Sequence, residues 1–132
     1  MATIKKFEDL EIWQLARSLS LDIFNIISTP DLKKDFSLKN QITRSSGSIM
    51  DNIAEGFERS GRKEFKQFLS IAKGSCGETR SQLYRMLDQG FINTDQFNAI
   101  EEKCLLLSKR INAFIAYLNN TEIEGTKHQS RD

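Results

Sequence analysis

The chain has 132 residues, 39% of them hydrophobic and 28% charged, with 19 Lys and Arg against 18 Asp and Glu for a formal net charge of +1. That mix suits one globular domain with a buried core. Near-neutrality excludes a molecule-wide pull on polyanions, which would have to come from a local patch. Two cysteines are too few for a secreted disulfide framework, and no run approaches the roughly 20 apolar residues that span a bilayer, so a soluble cytoplasmic protein without membrane contact is expected.

Met1 to Leu10 carries lysines but no export signal: no unbroken apolar segment follows it, and no small-residue cleavage site. A first helix is predicted over residues 7–28, with Ile12, Ala16, Leu19, Ile23 and Ile27 on one side and Leu10, Trp13 and Phe24 widening the apolar arc. Thr29-Pro30-Asp31 should end it, because a residue before proline avoids the helical region, and Ser37 offers a cap for the next start.

The stretch from Gln41 to Glu78 organises the rest, as two helices joined by a short turn. Ile42, Ser46, Ile49, Ile53 and Phe57 make one stripe, and Phe65, Phe68, Leu69, Ala72, Cys76 and Thr79 the other, within helices predicted over residues 37–57 and 61–89. Between them Gly56 or Gly61 can take a left-handed cap, and Ser60 can accept from the next helix's first amides. A fourth helix is predicted over residues 94–119, where Phe97, Ile100, Cys104, Leu107, Ile111, Phe114 and Leu118 alternate at intervals of three and four. Leu105, Leu106, Ile115 and Tyr117 lie off that seam and need a second cover. Residues 119–132 are polar and read as a frayed tail, leaving residues 1–118 as an all-α, antiparallel up-down four-helix bundle in a single domain.

Chemistry-bearing motifs are sparse. His128 in the tail is the one histidine, whereas a di-iron bundle needs inward Glu-x-x-His pairs. Ser70-Ile71-Ala72-Lys73 spells S-x-x-K without its companion motifs, and Asp51, Glu55 and Glu58 fall opposite an apolar stripe as a solvated acidic face. No enzyme, cofactor, metal or small-molecule substrate is expected. Cys76 and Cys104 sit on apolar stripes as buried thiols.

Charge is uneven on the third helix. From Arg59 to Arg85 there are seven basic residues (Arg59, Arg62, Lys63, Lys66, Lys73, Arg80 and Arg85) and two acidic ones, Glu64 and Glu78, a local excess of five positive charges. At 100° per residue Arg62, Lys66, Lys73 and Arg80 fall on one ridge. With Arg59 and Lys63 they are candidate nucleic-acid contacts, although on a near-neutral protein a solvated flank, or one spent on another subunit's carboxylates, is the favoured reading of such a ridge. The other flank carries Glu64, Ile71 and Glu78, and edges of opposite sign suit head-to-tail packing. Gly74 and Gly77, with Ala72, Ser75 and Cys76, make a small-residue girdle opposite Ser45, Ser46, Gly47 and Ser48, which predicts close helix approach. Gly74, on the outer side, is a candidate subunit contact with Glu64, Ile71 and Glu78.

Phe7-Glu8-Asp9-Leu10 with Ile12-Trp13-Gln14, then Gln41 to Ile49, Asn52-Ile53-Ala54-Glu55-Gly56, and Glu64-Phe65 with Phe68 to Ser75, together resemble a bacterial four-helix bundle family. It includes proteins encoded in intervening sequences of 23S ribosomal RNA genes and the accessory variability determinant of diversity-generating retroelements, and the resemblance covers about Phe7 to Leu118. It implies a bundle assembled as a homopentameric barrel, with no known enzymatic activity. In the retroelement members it implies basic surfaces that bind nucleic acid and a reverse transcriptase. This chain departs from them with a pI near 7.7, and the ribosomal label comes from where the genes lie. A non-catalytic homo-oligomer with RNA or a reverse transcriptase as partner is therefore expected, with a protein-protein scaffold that binds no nucleic acid as the alternative.

Overall fold

The helical spacings are realised in a computed structural model that describes residues 4–28, 35–59 and 61–124, the last four by backbone alone. A 3-10 turn, Phe7–Asp9, leads into α1, Glu11–Ile27, followed by α2, Phe36–Glu58, α3, Arg62–Asp88, and α4, Thr94–Glu124. Among the described residues these four are the α-helices and there is no strand. Each helix packs on its sequence neighbours and α4 returns to α1. Contacts across α3 and α4 run from Lys66 with Asn119 to Tyr84 with Phe97, so the two are antiparallel. Lys103 with Asp22 and Arg110 with Glu11 show the same for α4 and α1.

The stripes become one core: Leu19 and Ile23 of α1, Ile42, Ile49 and Ile53 of α2, Phe65, Leu69 and Leu83 of α3, and Leu107 and Ile111 of α4 are buried in a single cluster. Each such side chain contributes about 1.5–3 kcal/mol through burial. Phe114, the seam residue left half-buried, stacks edge-on against Phe65 with centroids 5.5 Å apart.

Four boundaries differ from expectation. Leu10 breaks the first helix with an extended backbone, which lets Leu10 drop into the core while Phe7 folds onto the Trp13 ring at 5.2 Å. Asp35, not Ser37, caps α2, its carboxylate accepting from the Leu38 amide at 2.9 Å. Gly56 is no cap; it is buried within α2, where a Cβ would stand 2.7 Å from Phe68 Cβ and 3.0 Å from the Phe65 ring, so α2 and α3 approach closely there. Gly61 does take the special backbone, with φ +118° at the start of α3. Finally, α4 continues through residues 119–124 instead of fraying at Asn119. Ser60, Thr29-Pro30-Asp31 and His128 lie outside the described residues.

The start of α4 is a reciprocal cap. The Asn93 side chain accepts from the Gln96 amide at 2.8 Å while Gln96 accepts from the Asn93 amide at 2.9 Å. Buried Ile92 and Phe97 flank that pair as an apolar staple.

Candidate functional site

Helical phase sets the basic ridge of α3 on the edge it shares with α4, and part of it is spent there. Lys66 donates to the Asn119 side chain at 3.0 Å. Arg80 pairs with Glu101 at 3.4 Å, and the Tyr84 hydroxyl donates to the same carboxylate oxygen at 3.1 Å. Arg80 Nε is sealed from solvent without a partner. Lys63 and Lys73 stay exposed and, among the described residues, form no ion pair. Arg62 is half-buried at the start of the ridge.

Arg59 lies off the ridge. It pairs with Glu55 at 2.9 Å and Glu64 at 3.5 Å, lies 5.2 Å over the Phe68 ring, and its pKa is raised above the ordinary guanidinium value chiefly by the Glu55 hydrogen bond. Glu64, placed with Ile71, Gly74 and Glu78 as a subunit contact, is thus engaged within its own chain. The other three are exposed; Ile71 is 51% accessible, and nothing lies within 4 Å of where a Gly74 Cβ would be.

More apolar surface stands outward than the core needs. Leu21 and Phe24 of α1 are 59% and 61% accessible, over an open groove of about 710 Å³ that also touches Gln14, Arg17 and Met50. On α4 the off-seam residues Leu105, Leu106 and Tyr117 are exposed and Ile115 half-buried.

The small-residue girdle closes differently from expectation. At Gly47, Gly74 and Gly77 an added Cβ would meet nothing within 4 Å, and it is hydroxyls that join the helices. Thr79 donates to Ser45 at 2.9 Å, Ser45 donates to the Gln82 side-chain oxygen at 2.6 Å, and Ser48 and Ser75 share a 3.0 Å bond. Ser45, Thr79 and Gln82 are buried. Their sequence signal is a polar residue at a stripe position, as with Thr79, or one residue aside from it, as with Ser45. The links of Lys103 to Asp22 at 2.6 Å and Arg110 to Glu11 at 3.2 Å have no local signal, because the bundle alone brings those residues together.

Cys76 and Cys104 are fully buried, and burial pushes both thiols up to about 12. They are protonated and poorly nucleophilic near neutral pH. No described helix is long and apolar enough to cross a membrane.

Against known proteins, the model of the 23S rRNA-intervening sequence protein family matches residues 8–113. A crystal structure described as a protein with unknown function from the S23 ribosomal protein family, from Bacteroides thetaiotaomicron VPI-5482, shares the fold with a TM-score of 0.73. It is 24% identical, over 79% of this chain and 97% of that one. No curated protein matches.

Proposed function

As this chain belongs to the 23S rRNA-intervening sequence protein family, we propose that it is a non-catalytic, self-assembling helical-bundle module of the cytoplasm that associates with RNA or with an RNA-bound protein such as a reverse transcriptase. The observation that carries the reading is the pair of surfaces on α3: a basic edge on which Lys73 stands exposed, and an outer face on which Lys63, Ile71 and Gly74 are open to a neighbour. In a ring of copies, five by the sequence resemblance, a modest cationic edge repeats and its affinity for a long polyanion multiplies.

A second reading, a scaffold that meets only proteins, is favoured by the pairing of Arg80 with Glu101 and of Arg59 with Glu55 and Glu64, which removes two cations from the polyanion surface. Salt separates the two. Phosphate contacts on a single-stranded RNA give log affinity against log salt a slope of about −0.7 per contact. RNA association predicts a steep slope that becomes shallower in Lys63→Ala and Lys73→Ala, while absence of binding at low salt, or a flat slope, leaves the scaffold.

A further inference from the structure

The hydroxyl network between α2 and α3 ends at a cleft of about 200 Å³ lined by Gln41, Arg44, Ser45, Ser48, Glu78 and Gln82. Gln82 is 5% accessible. Its side-chain oxygen is taken by Ser45, itself receiving from Thr79, whereas its side-chain nitrogen donates to nothing among the described residues. Arg80 Nε is the one side-chain atom among them that is sealed from solvent without a partner, so the Gln82 nitrogen opens into the cleft that Gln82 lines. Its two N–H groups are thus left to solvent in the cleft, where a ligand oxygen can accept from them in place of water.

The rim supplies charge of both signs. The pairing of Ser45 with Thr79 and Ser48 with Ser75 sets the register that puts Arg44 on one lip and Glu78 on the other, both exposed, and no ion pair joins them. The other polar groups are occupied: Gln41 accepts from Arg85 at 2.7 Å, and Ser48 accepts from Asn52 at 2.9 Å. The unspent groups are therefore two amide donors, a guanidinium and a carboxylate.

We propose that this cleft is a binding site for a small zwitterion of the free α-amino acid class, its carboxylate received by the Gln82 amide and Arg44 and its ammonium by Glu78. The volume suits a small molecule, and the ligand is bound, not transformed. This inference is independent of any RNA association, which lies on the α3 and α4 edge.

The test uses the full chain labelled with ¹⁵N and follows the Gln82 side-chain amide during addition of L-alanine, with acetate and methylammonium as single-charge controls. A saturable shift with L-alanine, stronger than with either control and weakened by about tenfold or more in Arg44→Gln and in Glu78→Gln, is expected from loss of one charge-assisted contact. Both substitutions are at exposed positions and leave the hydroxyl network intact, and unchanged amide spectra elsewhere check that. No saturable shift overturns the proposal, as do an equal response to acetate or an undiminished response in both variants. A Gln82 signal that moves on dilution of the protein but not on addition of amino acid places a second copy in the cleft and also overturns it.

Discussion

At Gly56 a single hydrogen atom decides how closely two helices meet. The Cβ of an alanine there would stand 2.7 Å from Phe68 Cβ, and that atom is the root of its side chain, unable to swing aside without moving α3. Gly56→Ala should therefore cost about 1–3 kcal/mol by overpacking, although alanine favours a helix. Urea melts check this, and an unchanged midpoint would mean that the helices separate freely. The two thiols make a second residue-scale prediction. Folding raises each from its ordinary 9.0 to about 12, so the folded state holds its protons longer. Their contribution is whole below about pH 9 and is lost as pH rises toward 12, by about 1 kcal/mol per thiol at pH 10. Urea midpoints of the wild type should fall more steeply between about pH 8 and 10 than those of a Cys76→Ala, Cys104→Ala double variant. Parallel slopes would contradict the buried-thiol account.

At the scale of elements, the start of α2 depends on one carboxylate. Asp35→Ala should cost about 1 kcal/mol through the lost Leu38 amide bond, while Ser37→Ala, which removes only an exposed bond from Gln41 at 3.0 Å, should change the thermal midpoint little; the reverse order would restore Ser37 as the cap. Helix existence was legible throughout because burial enforces period, as the seven-residue seam of α4 from Phe97 to Leu118 shows. Ends were less legible. Leu10 looks like one more apolar position, and only the core's demand for its side chain, with Phe7 folding onto Trp13, reveals the break. Gly56 near a helix end reads as a cap until the neighbouring helix is placed against it. The ridge was legible as a pattern on α3 but its partners were not, since Glu101 and Asn119 become neighbours only through the phase and direction of α4.

For the whole molecule, the question is what meets the outward faces of α1, α3 and α4. Leu21, Phe24, Ile71, Leu105, Leu106 and Tyr117 stand at least 40% accessible, and these are the groups that a neighbouring copy would cover in the proposed assembly. In the ring of helices α1 and α3 sit across from each other, each touching α2 and α4, so a contact from the α1 face of one copy to the α3 face of the next is head-to-tail and builds rings or filaments instead of a closed pair. Gly74 tests the α3 face. Within one chain it is exposed with open space around it, so in an isolated bundle Gly74→Ala should stabilise by up to about 1 kcal/mol and Gly74→Leu should be nearly harmless. If a neighbouring copy packs on that face, a leucine side chain has nowhere to go. We expect Gly74→Leu to lower the mass seen by light scattering while helix content by circular dichroism holds, and an unchanged mass with an equal or higher melting temperature would remove Gly74 from the contact.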